Sequence, residues 1–218
     1  MKRILLLAAL VSGVAAIPAG VTSAVTTSAA SAQNYTCVNT NVPPGTWQNV
    51  IVPAGDWCNV VAVHVLGSVQ AVKSAGLGIG GGTEIDGNVQ AVKTQAANDT
   101  FGTPYNVICN SIIKGNVQIV NSTANAPWNI GVNDPALLMN GSCDTVASWI
   151  GGNIQFNGNQ AQSYIGLNDV EGNAQCVSNA FAPSDDGEMN GADGPVQGQC
   201  APIFGPGDAG GEPQSDSD

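Results

Sequence analysis

The chain has 218 residues, with 16 Asp and Glu against 5 Lys and Arg and a formal net charge of −11. Such a surface repels nucleic acid and anionic membranes, and phosphate recognition, which leans on several Arg and Lys side chains, lacks its usual residues. The single histidine, His64, excludes a multi-histidine metal centre and would make any Ser-His-Asp triad depend on one residue.

At the N-terminus, Lys2 and Arg3 are followed by a mostly apolar stretch over residues 4–17 and by the small residues Ala30-Ser31-Ala32. This pattern predicts a secretory signal over residues 1–32. A membrane anchor is the competing reading, but the stretch is short and is broken by Ser12, Gly13 and Pro18. Asn34-Tyr35-Thr36 before Cys37 is not a lipidation context. Loss of Lys2 and Arg3 removes two positive charges, taking −11 to −13 and leaving Lys73, Lys93 and Lys114 as the strong bases. The expected location is extracellular or cell-wall associated, with no membrane contact after signal removal, and the acidity serves solubility.

Residues 33–48 read as a lead-in and residues 49–200 as one repetitive domain. Residues 49–55 look like an opening coil or cap, because Ala54-Gly55 precedes Val65 much as Ala75-Gly76 precedes Ile85. One phrase then recurs: Val65-Leu66-Gly67-Ser68-Val69-Gln70, Ile85-Asp86-Gly87-Asn88-Val89-Gln90, Ile113-Lys114-Gly115-Asn116-Val117-Gln118, Ile150-Gly151-Gly152-Asn153-Ile154-Gln155 and Val170-Glu171-Gly172-Asn173-Ala174-Gln175. Its glycines are 20, 28, 37 and 20 residues apart (67 to 87, 87 to 115, 115 to 152, 152 to 172). A period of about 20 fits one coil of a parallel β-solenoid. A spacing of 28 then fits a coil with an inserted loop, and 37 fits either two coils or one with a long excursion.

Apolar or small residues fill every second place in the phrase, as in Ile85, Gly87, Val89 and Ala91, which is the period of a strand. Gly, Asn and β-branched residues are poor helix formers. The fold expected is therefore all-β, a parallel β-helix with coils of about 20 residues. Coils stacked about 4.8 Å apart put Ser68, Asn88, Asn116, Asn153 and Asn173 in one column and Gln70, Gln90, Gln118, Gln155 and Gln175 in another. Amides stacked in register can satisfy one another along the axis, with the glycine serving a corner of unusual backbone angles. The same flat, uncharged ladder is also a platform for sugar hydroxyls, which makes these Asn and Gln residues the candidate ligand-binding set. The register further sets His64 beside Glu84 and Asp86 near Lys114, as surface pairs.

No cysteine spacing is Cys-x-x-Cys, and in an exported chain six cysteines suggest a disulfide framework. Six allow 15 pairings. A solenoid brings sequence neighbours together, which favours Cys37–Cys58, Cys109–Cys143 and Cys176–Cys200. Between residues 184 and 193, Asp185, Asp186, Glu188 and Asp193 supply oxygen ligands of the kind calcium prefers, but without the EF-hand spacing, and a turn-rich loop explains them equally well. Trp47, Trp57, Trp128 and Trp149 could stack on sugars or cap the core. Residues 201–218 are rich in Gly, Pro, Ser, Asp and Glu and read as a disordered acidic tail.

The opening Val50-Ile51-Val52-Pro53-Ala54-Gly55 leading to Cys58, the Gly-Asn-Val-Gln coils, and Gly172-Asn173-Ala174-Gln175-Cys176 leading to Gly198-Gln199-Cys200 resemble secreted right-handed parallel β-helix proteins of the actinobacterial type. That resemblance implies a fold and an address, and no activity or cofactor. A looser likeness to bactofilin-type polymerising β-helices departs at the signal and the cysteines.

Three functions stay in view. The first is a noncatalytic structural or surface-interaction protein that engages a cell-envelope glycan or protein partner through its amide face. The second is a carbohydrate-active enzyme using exposed carboxylates, Asp169 with Glu171 or Glu84 with Asp86, each pair about 7 Å apart along a strand. The third is a self-assembling envelope protein. A lyase of the β-helix kind is disfavoured because no arginine remains after the signal.

Overall fold

The computed structural model describes residues 32–95, 106–131, 143 and 146–206. Residues 1–31 of the expected signal and 207–218 of the expected tail lie outside the described residues. The described chain is all-β, and its strands pair in parallel with those of the coils before and after them.

The first coil carries β1 (Tyr35–Thr36), β2 (Thr40–Asn41) and β3 (Thr46–Trp47). The second carries β4 (Val50–Val52), β5 (Trp57–Val61) and β6 (His64–Val65). The third has β7 (Val69–Ala71), β8 (Gly76–Gly80) and β9 (Thr83–Ile85). The fourth has β10 (Val89–Val92), β11 (Asn106–Ile108) and β12 (Ser111–Ile113). The fifth has β13 (Val117–Val120), β14 (Trp128–Ile130) and β15 (Ser148–Ile150). The sixth has β16 (Ile154–Asn157), β17 (Tyr164–Ile165) and β18 (Asn168–Val170). The chain finishes with β19 (Ala174–Val177) and β20 (Asn190–Ala192), then β21 (Val196–Gly198) and β22 (Phe204–Pro206).

The result is a parallel β-helix with three sheets. Sheet A stacks β1-β4-β7-β10-β13-β16-β19-β21, sheet B stacks β2-β5-β8-β11-β14-β17, and sheet C stacks β3-β6-β9-β12-β15-β18-β20-β22. Val117 lies directly opposite both Val89 and Ile154. The 28- and 37-residue spacings are therefore each a single coil. The stack also runs past residues 49–200 at both ends. Tyr35 in the segment read as a lead-in pairs with Val50, and Phe204 pairs with Asn190.

Inward positions are filled as the period of two requires: Val50, Val69, Val89, Val117, Ile154 and Ala174 form one core column on sheet A, each at most 1% exposed. Burial of each Val or Ile contributes about 1.5–3 kcal/mol. Trp128 and Phe156 are the bulkiest fully buried side chains and fill the centre of the fifth and sixth coils.

The turns between sheets differ in kind. The corner after sheet A is left-handed at Lys93, Asn121, Gly158 and Ser178, and the corner between sheets B and C is left-handed at Ala62, Gly82, Asn110 and Leu167. The corner from C to A, made by the phrase's own glycine, corrects the expectation of unusual backbone angles: Gly87, Gly115, Gly152 and Gly172 have no positive φ. Their need for glycine is steric. A Cβ on Gly115 would lie 2.4 Å from the Gly87 carbonyl oxygen and 2.7 Å from Asn88 Oδ1, and Gly87, Gly152 and Gly172 repeat this crowding. The backbones approach this closely because each glycine N–H donates to the glycine carbonyl of the coil before, as Gly115 does to Gly87 at 3.0 Å.

The disulfides are Cys37–Cys58, Cys109–Cys143 and Cys176–Cys200, the pairing favoured from the solenoid argument. Three such bonds fit an oxidising compartment.

Candidate functional site

The outward face of sheet A follows directly from the recurring phrase. In β10, β13, β16 and β19 the residues between the buried Val, Ile, Ala, Phe and Cys point outward, and they pair coil to coil. Gln70, Gln90, Gln118, Gln155, Gln175 and Gln197 form one unbroken column by register. Beside them lies a second column, Val92, Val120, Asn157 and Val177, with Val72 at the end of β7. Val72, Val92 and Val177 are 42%, 38% and 37% exposed, well above what a core valine shows. None of these outward side chains carries a charge, although the chain as a whole is at −11.

The Asn column lies along the other edge of the glutamines and is committed to structure. Asn116 N–H donates to Asn88 Oδ1 at 2.8 Å, Asn153 N–H to Asn116 Oδ1 at 2.9 Å, and Asn173 N–H to Asn153 Oδ1 at 2.8 Å. The side-chain amides of Asn116 and Asn153 donate to the same oxygens, at 3.0 and 2.8 Å. Ser68 takes the asparagine's part for Asn88, and Asn49 for Ser68, while the Asn49 amide donates to Asn34 Oδ1, so the ladder begins two coils earlier than the repeated phrase. Each oxygen thereby caps the corner of the next coil.

The glutamines are less fully engaged. Gln118 donates to Gln155 at 3.0 Å and Gln175 to Gln197 at 3.3 Å, while Gln70, Gln90 and Gln197 are exposed. Two shallow depressions run along this face. Asn88, Gln90, Asn116, Gln118, Asn153 and Gln155 line one, and Gln155, Gln175 and Gln197 form much of the other.

Two further polar ladders are buried, and the sequence reading missed both. At the A-to-B corner Thr94 and Ser122 share a hydrogen bond of 2.8 Å, Ser122 N–H donates to Asn159 Oδ1, and Asn159 N–H donates to Asn179 Oδ1. Trp128 Nε1 donates to the two hydroxyls, which explains how an indole is tolerated at the centre of the core. At the B-to-C corner Asn168 N–H donates to Asn190 Oδ1, and both side-chain amides donate to backbone carbonyls. A signal for the first ladder did exist: a polar residue stands five places after Val89, Val117, Ile154 and Ala174.

Sheet C faces outward with charge. The structure corrects the partner expected for His64. Glu84 is its register neighbour, but His64 Nε2 reaches diagonally to Asp86 Oδ2 at 3.0 Å. Lys114 Nζ lies 2.8 Å from Asp86, as expected, and 2.7 Å from Glu84 as well. Partial burial pulls the Asp86 carboxyl upward, but hydrogen bonds from Lys114 and His64 and their charges outweigh it, holding it below the usual carboxylate value. The two carboxylates raise Lys114 in turn. Glu84 and Asp86 thus share one ammonium.

Asp169, the other enzymatic candidate, stands in the outward column of sheet C between Trp149 and Gly191, next to the exposed Glu171. The Trp149 indole lies over Gly151, where an added Cβ would meet it at 2.7 Å. Trp47 packs on Tyr35 with ring centroids 4.8 Å apart and donates to the Pro43 carbonyl, which caps the first coil. In the acidic loop, Asp185 accepts from Gly187 N–H and Ser184 from Asp186 N–H, closing a tight turn. Among the described residues, one group of three or more metal-ligating side chains converges, and it is His64, Glu84 and Asp86, not Asp185, Asp186, Glu188 and Asp193.

Fold and surface together define a disulfide-stapled, three-sheet parallel β-helix with one uncharged and one charged face. Set against known proteins, the chain matches no family model, no curated protein and no solved structure.

Proposed function

We propose that the protein is exported and acts without catalysis, as a surface-interaction protein whose amide and valine strip lies along neutral glycan chains of the cell envelope or its surroundings. Export rests on the basic start, apolar stretch and small residues at positions 1–32 and on three disulfides that need an oxidising compartment. The carrying observation is the absence of charge along the outward side chains of β7, β10, β13, β16 and β19 in a chain of net charge −11. A charged partner would leave that face unused, and a second copy, equally acidic, would be repelled.

The chemistry suits a sugar polymer. Glutamine amides offer donors and acceptors to hydroxyls at a repeat of about 4.8 Å, and the valine column offers apolar ground for the C–H faces of the rings. The test is retention of the disulfide-bonded protein on a glycan array and on insoluble neutral polysaccharides. Gln90→Ala with Gln118→Ala and Gln155→Ala should weaken binding about tenfold or more, the equivalent of one to two lost hydrogen bonds, while the protein stays folded and loses at most the stability of the Gln118–Gln155 bond. Binding untouched by that triple change, or confined to anionic polymers, contradicts the reading. Release of shortened sugars would favour the enzymatic rival instead.

A further inference from the structure

We propose that His64, Glu84 and Asp86 form a site for a divalent transition-metal cation of the zinc type, with Lys114 as a built-in competitor for the same carboxylates. The ligating atoms of the three residues already lie within 4.8 Å of one another. A tetrahedral ion with bonds of about 2.1 Å holds its donors about 3.4 Å apart, so closure from 4.8 Å asks the donor atoms to approach by up to about 1.4 Å. The backbone beneath is held by register: His64 pairs with Glu84 across β6 and β9, and Glu84 with Ile112 across β9 and β12.

The donor set selects the ion. One imidazole with two carboxylates suits zinc, copper or nickel, whereas calcium seeks six to eight oxygens. A positive charge is already held at this place, because Lys114 Nζ sits 2.7 Å from Glu84 and 2.8 Å from Asp86. The Lys114 side chain is 48% exposed on a flexible stem, so it swings into water when a doubly charged ion takes over both carboxylates. The site lies on sheet C and the amide strip on sheet A, so this inference stands apart from the glycan reading.

The experiment is a titration of the untagged, disulfide-bonded protein with zinc chloride, followed by calorimetry and by the ring-proton resonances of His64, the single histidine. One saturable zinc per chain is expected, with the His64 signals shifting in step. His64→Ala and Asp86→Asn should each abolish it, while Lys114→Ala should tighten it about tenfold, the equivalent of releasing two exposed ion pairs. Zinc uptake that leaves the His64 signals in place, that survives His64→Ala, that calcium matches, or that weakens in Lys114→Ala overturns the proposal. So does the absence of saturable binding in the native protein.

Discussion

A methyl group on Gly115 would meet the Gly87 carbonyl oxygen at 2.4 Å, and backbone on both sides is fixed by the coil stack, so nothing can yield cheaply. Gly115→Ala is expected to cost about 2–4 kcal/mol in urea denaturation, the cost of overpacking with a backbone shift. Gly82 is the contrast: its φ is +74° and an added Cβ meets nothing within 4 Å, so Gly82→Ala should cost only the left-handed strain, about 1–2 kcal/mol. Equal costs, or a Gly115→Ala change under about 0.5 kcal/mol, would contradict the steric account. Asn159→Ala should cost about 1–3 kcal/mol, because it strands the buried Ser122 N–H. Asn116→Ala, on the exposed ladder, should cost less. At this scale the sequence is only partly readable. The phrase's glycine stands out by repetition, yet its reason does not, since close approach and left-handed φ select the same residue. Ala62, Lys93, Leu167 and Ser178 take left-handed corners with no compositional hint, because the stack and not local preference holds them there.

At the level of elements, the ends of the solenoid should be its weak points, since a terminal coil has a neighbour on one side only. Cys176–Cys200 ties the last coils together across 24 residues and should contribute about 3 kcal/mol by restricting the unfolded chain. Replacing both cysteines with serine is expected to lower stability by that order and to remove amide-exchange protection from residues 196–206 first. Uniform loss of protection through the stack would contradict it. Inward and outward alternation was readable across five coils because Val, Ile and Ala recur at the same places, and the cysteine pairing followed from coil neighbours. The first coil was not readable: residues 35–48 pair as β1 and β3 but carry none of the repeated phrase, and a terminal coil has only one side to match. The buried ladders escaped because polar residues are read as outward, whereas here they satisfy backbone groups at the corners.

Across the whole molecule, charge separates onto different faces. Among the described residues the strands of sheet A present amides and valines without charge, with the exposed Lys73 and Lys93 at the corner beside Val72 and Val92, while sheet C presents His64, Glu84, Asp86, Lys114 and Glu171. Both functional proposals depend on the coils lying in register, since one slipped rung would break the glutamine column and part His64 from Glu84 and Asp86. Electron–electron distance measurement between spin labels on unnatural side chains at positions 70 and 197 tests this most directly. Five register steps separate the two sites, so a single narrow distance of about 24 Å, broadened only by the label linkers, is expected. A broad distribution, or a mean several rungs longer, would contradict the stacked ladder and both proposals built on it.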